Sequence, residues 1–240
     1  MTMAEGPAVA HTNYTLVIGD KNFSSWSLRP WLALKQCGIQ FAEERVRLRQ
    51  PDSKAEILRN SPSGKVPVLK ADVGLIWDSL AILEYLAERH PEHLLWPQTE
   101  EARAAARSIS AEMHAGFVTL RKDMPMDLLG LFPSPPIGAT LESDIRRIVA
   151  IWRGARERYG KGGPFLFGAF TNADAMYAPV ATRFRTYGVD LRNFGDDGTA
   201  AAMPKPSSRC RLWQNGPKAR GPKSGSGQPP ERLTRVTCSA

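Results

Sequence analysis

Three short stretches of this 240-residue chain bring together side chains able to do chemistry. The first is Phe23-Ser24-Ser25-Trp26-Ser27-Leu28-Arg29-Pro30, whose hydroxyls stand just ahead of a run with helical spacing. A helix N-terminus offers free backbone N–H groups and the positive end of the helix dipole, so it favours negative charge. A thiol bound there would have its thiolate stabilised, as helix N-termini do for cysteines. The same serines also suit plain helix capping, and the stretch alone does not separate the two roles. The second stretch is Ser61-Pro62-Ser63-Gly64-Lys65-Val66-Pro67-Val68-Leu69. A proline inside a strand is disfavoured, which makes Val66-Pro67 a candidate cis bond. A cis bond would turn the Val66 backbone groups outward to pair with an extended peptide. An ordinary trans proline on an edge strand is the alternative. The third is Asp78-Ser79, ahead of an apolar helix. Asp78 would attract an ammonium, and Ser79 with the helix N–H groups would take a carboxylate, which together suit an α-amino acid. Asp78 is equally a good N-cap.

The other reactive residue types are scattered. His90 and His93 flank Pro91 and are expected to be a surface pair at a helix end, so no metal is expected. Cys37, Cys210 and Cys238 are odd in number and widely spaced, which argues against a disulfide framework and a zinc site. Cys37, next to Gly38 at the end of the first helix, suits core or surface better than catalysis.

The elements that must position these stretches follow from periodicity and turn chemistry. Tyr14–Ile18 is a short β-type run, Leu28–Gln36 a helix, and Phe41–Leu48 a partly alternating strand. Lys54–Arg59 is a short helical piece. Val66–Leu69 and Gly74–Trp77 are strands separated by a turn, and Asp78-Ser79 opens a helix with Leu80, Ile82, Leu83, Tyr85 and Leu86. The order βαβαββα implies parallel strands first and a closing hairpin. Pro91–Pro97 is a linker. Beyond it, Thr99–Lys122 is expected to be one long helix that tolerates Gly116. Met124–Thr140 is a Pro- and Gly-rich loop, Leu141–Tyr159 a helix with an apolar stripe, and Thr171-Asn172-Ala173-Asp174 a capping-box-like start to another. The domain expectation is residues 1–12 disordered, 13–92 an α+β unit, 99–202 all-helical, and 203–240 a disordered tail.

Taken together the three stretches resemble the cytosolic glutathione transferases. The motifs are Ser-Ser-Trp-Ser-Leu-Arg-Pro, Gly-Lys-Val-Pro-Val-Leu and Trp-Asp-Ser-Leu-Ala-Ile-Leu-Glu-Tyr-Leu, joined by Phe165-Leu-Phe-Gly-Ala-Phe-Thr-Asn-Ala-Asp-Ala-Met-Tyr-Ala-Pro-Val in the helical part. The double serine resembles the zeta class, with Trp26 where that class usually has cysteine. The resemblance, over about residues 13–200, implies a thioredoxin-like N-terminal domain followed by the all-α glutathione transferase domain. It also implies glutathione as co-substrate. Ser24 would activate its thiol, with Ser25 close behind, and Lys65, Val66, Pro67, Asp78 and Ser79 would bind it. By position, Trp26, Phe117, Met124, Met126 and the Leu128–Phe132 loop would face a small-molecule electrophile. The family habit implies a homodimer. The absence of the usual cysteine argues against a mixed-disulfide route. A non-catalytic glutathione-binding or scaffold protein of the same fold is the competing class.

Charge needs locating before it is interpreted. The net charge is +8 and the pI about 9.6. Residues 203–240 hold 8 of the 32 basic residues and 1 of the 24 acidic ones, which leaves the preceding chain at 24 − 23 = +1. A nucleic-acid partner is therefore not expected from the body, only through the tail if at all. No window approaches eighteen consecutive apolar residues, and Met1–Thr12 lacks the build of a signal peptide. The expectation is a cytoplasmic protein that does not enter a membrane. The tail from Met203 is rich in Pro, Gly, Ser and basic residues and has no periodicity. Codons started at the third base of each existing codon permit Y-A-E-A-L-L-A-L-P-A-L-A-E-W-A-E-G-A-R over Ala202–Arg220. That string is an amphipathic helix followed by the Leu-Pro-x-Leu-x-x-Trp pattern that closes many glutathione transferases. A frame shift near residues 200–203 is thus expected, which would make the basic tail an accident of reading.

Overall fold

The computed structural model describes residues 13–201. The expectations for residues 1–12 and for the basic tail at 203–240, its disorder and frame shift included, lie outside the described residues. The first half builds β1 (Tyr14–Ile18), α1 (Ser25–Gln36), β2 (Phe41–Arg45), α2 (Ser53–Asn60), β3 (Val68–Ala71), β4 (Gly74–Ile76) and α3 (Ser79–Arg89). The sheet runs β2-β1-β3-β4. β1 and β2 are parallel, with Tyr14 opposite Phe41, while β3 is antiparallel to both β1 and β4. The parallel β1–β2 pair and the β3–β4 hairpin are those expected from the order of elements, and the whole is the thioredoxin-like arrangement that the resemblance implies.

The second half is helical: α4 (Glu100–Ala115), α5 (Val118–Asp123), α6 (Ala139–Tyr159) and α7 (Asn172–Thr186). The single long helix expected over Thr99–Lys122 is in fact two. Gly116 is extended and Phe117 adopts φ 58°, so the chain turns between α4 and α5. At Gly116 a Cβ would lie 2.8 Å from the Glu112 carbonyl oxygen, so this close approach suits glycine. After the break, the Leu120 N–H is taken by Asp144 of α6 at 3.0 Å. A side chain from another helix thus binds an N–H at the restart.

α7 is the element on which both halves are built. Of its residues, Ala175, Met176 and Ala178 join the core formed with Leu16, Leu28, Trp31, Leu69, Ile82 and Leu83. Ala173, Tyr177, Val180 and Phe184 join the helical core with Ile145, Ile148 and Trp152. The capping box expected at its start is present. Asp174 accepts from the Thr171 N–H at 2.8 Å and from the Thr171 hydroxyl at 2.9 Å. Asn172 crosses to the other layer, its Nδ2 donating to the Leu83 carbonyl at 3.0 Å and its backbone N–H to that of Leu95 at 2.8 Å. α1 is therefore packed on a buried helix of the helical layer, and α3 is tied to that helix through Asn172.

Candidate functional site

Ser24 is the N-cap of α1. The helix begins three residues earlier than its apolar run suggests, because the serines themselves form its first turn. The Ser24 Oγ donates to the Ser27 Oγ at 2.8 Å and accepts the Ser27 N–H at 3.4 Å. Ser27 Oγ also accepts the Gly19 N–H from the end of β1, at 3.1 Å. Ser27 is the residue that anchors Ser24, a role that its place in the motif does not disclose. Ser25 is buried beside it at the first helical position.

Asp78 is the N-cap of α3, its carboxylate accepting the Leu80 N–H at 2.9 Å. Its other oxygen lies 2.9 Å from Nε2 of His114 near the end of α4. The His114 ring in turn meets Trp26 edge-on, with centroids 5.2 Å apart. The caps of α1 and α3 are thereby linked through one histidine of the helical layer. Ser79 is fully buried, and its hydroxyl has no hydrogen-bond partner among the described residues. A buried hydroxyl without a partner costs about 1–3 kcal/mol, a cost that a bound polar group would relieve. Lys65 is exposed and Val66 half-buried on the loop into β3, and the Val66-Pro67 peptide is cis as expected. The loop is fastened by Lys54, whose Nζ donates to the Gly64 carbonyl at 3.4 Å.

Trp26 sits among cations. The Arg29 guanidinium lies 4.1 Å from its ring centroid and that of Arg121, from α5, 5.4 Å away. Arg29 is almost wholly buried, and its Nε and one terminal nitrogen have no partner among the described residues. Burial first, and then the neighbouring Arg183 and Arg121, draw Arg29 down to about 9. It is still charged at neutral pH. Arg183 of α7 is likewise lowered by burial to about 10 and donates through Nε to the Met124 carbonyl at 2.8 Å. Arg121 is half-buried and donates to the Met113 and His114 carbonyls at the end of α4, at 3.3 and 3.4 Å. Arg29 and Arg121 thus flank Trp26, and Arg183 adds its charge beside them.

A loop of the helical layer is fastened to Asn22, two residues ahead of the α1 cap. Asp127 accepts from the Asn22 side-chain amide at 2.8 Å and from the Leu129 and Gly130 N–H groups at 3.1 and 2.9 Å. The structure distributes the electrophile-facing residues unevenly. Trp26 is half-buried at the site, whereas Phe117 and Met124 are core residues, 7% and 0% exposed, packed with Leu120 and Ile145. Met126 and Leu128 are buried in the other core, and Leu129, Leu131 and Phe132 project into solvent. Position along the chain does not disclose the sides these residues present. His114, Arg121 and Arg183 were missed, because nothing local marks a residue whose partners lie on other helices. Arg29 alone carried a signal, three positions after Trp26 on one helix face.

A mixed sheet with facing α1 and α3 caps, followed by a helical layer, is the framework on which known proteins can be compared. Residues 23–89 match the family profile described as the glutathione S-transferase N-terminal domain, and residues 138–213 the corresponding C-terminal domain. A maleylacetoacetate isomerase of Rattus norvegicus is 30% identical over 171 residues, which cover 70% of this chain and 76% of that one. A probable maleylacetoacetate isomerase of Caenorhabditis elegans is 36% identical over 105 residues, 44% of this chain and 48% of that one. The match thus spans under half the length of some curated relatives. In fold, the holo structure of a maleyl pyruvate isomerase, a bacterial zeta-class transferase, superposes with a TM-score of 0.58. It covers 79% of this chain and 96% of that one at 22% identity. The chain belongs to the glutathione S-transferase family. Within that family it is of the zeta-like type.

Proposed function

We propose that the protein is a glutathione-dependent enzyme that activates the glutathione thiol with the Ser24 hydroxyl for attack on an acidic, electrophilic small molecule. The observation that carries this reading is the buried, unpartnered Ser79 hydroxyl at the N-terminus of α3, beside the Asp78 cap. It suits the carboxylate of an α-amino acid, with helix N–H groups to share the charge. Asp78 offers a carboxylate for the ammonium, and Lys65, Val66 and Pro67 flank the extended peptide. Ser25 stands beside Ser24 as a second hydroxyl.

The chemistry asked of these residues is modest. The Ser24 hydroxyl turns its proton from Ser27 toward the thiolate, a rotation that breaks no covalent bond. The α1 N-terminus adds its dipole. The electrophile meets Trp26, and the guanidiniums of Arg29, Arg121 and Arg183 favour one that carries a carboxylate. The relatives named as maleylacetoacetate isomerases make an unsaturated diketo acid of that kind the first substrate to try. The exposed Val73, Leu75 and Trp77 along β4 supply an apolar edge for a homodimer.

Retention on immobilised glutathione, followed by turnover with maleylacetoacetate and a neutral aryl halide, tests the reading. Ser24→Ala should lower kcat at least tenfold while glutathione affinity changes little; equal loss in both would reduce the serine to a positioning role. The engagement of Ser24 by Ser27 favours a second reading, a glutathione-binding protein with weak or no catalysis. Retention without turnover of either electrophile would decide for it.

A further inference from the structure

The turn after α3 gathers three metal-ligating side chains away from the site just described. Nδ1 of His90 lies 3.4 Å from Oε1 of Glu92, and Nε2 of His93 lies 3.5 Å from the same oxygen. One ligand atom from each of the three residues falls within 4.8 Å of the others. An ion held tetrahedrally at about 2.0–2.1 Å keeps its ligand atoms about 3.3 Å apart. Two of the three separations already have that length. The histidines form the expected pair at the helix end, and Glu92 between them adds a carboxylate.

The backbone builds the arrangement. Pro91 starts a 3-10 turn over Pro91–His93, which Leu94 closes at φ 49°. The turn brings positions 90, 92 and 93 to one side. His90 is also oriented from behind: its Nε2 lies 3.1 Å from the hydroxyl of Tyr14, a buried residue at the start of β1. When Nε2–H donates to that oxygen, Nδ1 is left bare and faces Glu92. Ligating histidines are typically fixed in this way by a partner on the other ring nitrogen. His93 is partly exposed, which leaves an approach from solvent and a fourth position for water.

We propose that His90, Glu92 and His93 form a binding site for a divalent transition-metal ion of the zinc class. Two imidazoles and one carboxylate select such ions over calcium or magnesium, which prefer all-oxygen ligands. The ion would staple the end of α3 and the following turn to β1 through Tyr14.

The test uses the untagged full-length protein, stripped with a chelator and titrated with Zn2+ by calorimetry and with Co2+ by visible absorption. The expected result is one ion bound with a micromolar Kd and a rise in Tm on adding Zn2+. His93→Ala should weaken binding at least tenfold, and so should Glu92→Gln, a change at an exposed position that leaves the turn intact. Cys210→Ser with Cys238→Ser should bind as wild type, which separates this site from the tail thiols. No binding by the wild type overturns the proposal. So does binding that survives both His93→Ala and Glu92→Gln, or binding lost with the two cysteines.

Discussion

At the scale of single residues, burial decides which reactive groups are available. Cys37 is half-buried, and desolvation with the nearby Glu92 charge raises its thiol to about 11. The thiolate is the reactive form, so Cys37 stays inert well above neutral pH. Peptide mapping after iodoacetamide treatment of the native protein at pH 8 should find Cys37 unmodified while the denatured protein is fully labelled there. Arg121 is the cation near Trp26 best placed to meet a substrate, being only half-buried. Arg121→Gln should raise KM for an acidic electrophile by about tenfold, the size of one lost charge-assisted hydrogen bond. KM for a neutral aryl halide should be little changed. The contrast between these residues explains what the sequence could disclose. Ser24, Val66-Pro67 and Asp78-Ser79 announce themselves because each acts through its own neighbours, as a cap or a turn. His114, Arg121 and Arg183 act through partners on other helices, and no local pattern encodes that.

At the scale of elements, caps were legible and breaks were not. Thr171 and Asp174 form the capping box that their spacing predicts. The α4–α5 break at Gly116 was hidden, because a lone glycine in a helical pattern is compatible with either outcome and Asp144 of α6 helps decide it. The buried capping box has a consequence for pH. Burial raises the Asp174 carboxyl from 3.8 to about 6, against the hydrogen bonds from Leu166 and Thr171 that lower it. The folded state therefore takes up a proton between pH 6 and 4 that the unfolded chain takes up only near pH 4. The contribution of this group to stability rises as pH falls through that window, by about 3 kcal/mol in all. Asp174→Ala should destabilise by about 2–3 kcal/mol, since it removes the cap and strands three buried donors. The stability gap between wild type and Asp174→Ala, measured by urea unfolding at pH 7, 6, 5 and 4, should widen toward low pH. A gap that narrows would show that the carboxyl is ionised in the folded state throughout.

At the scale of the molecule, the two halves differ in how openly they were written. The βαβαββα order could be read off strand and helix periods, whereas the merging of both cores on α7 required coordinates. Among the described residues no helix is long and apolar enough to cross a membrane. The charge is unevenly shared, with residues 1–202 at +1 and 203–240 at 8 − 1 = +7. Removing residues 203–240 should abolish retention on a cation exchanger at neutral pH. It should also abolish any salt-sensitive binding to DNA, while retention on glutathione persists. DNA binding that outlives the truncation would place a basic surface on the body instead. Reading the coding DNA across residues 200–203 against a near relative tests the shifted frame directly.

The loop between α5 and α6 is fastened at its start, where Arg183 and Tyr187 of α7's end hold the Met124 and Pro125 carbonyls and Met126 and Leu128 enter the core, and is bare only at its tip. Asp127 holds Asn22, the Thr186 hydroxyl donates to the Asp127 carbonyl at 2.7 Å, and the Phe132 N–H to the Thr186 carbonyl at 2.8 Å. Between these points Leu129 and Leu131 stand in water. α7, by contrast, lends residues to two cores at once, so nearly any change there is resisted from both sides. Tolerance to change is therefore concentrated at the tip around Leu129 and Leu131, where new side chains would meet water rather than a core.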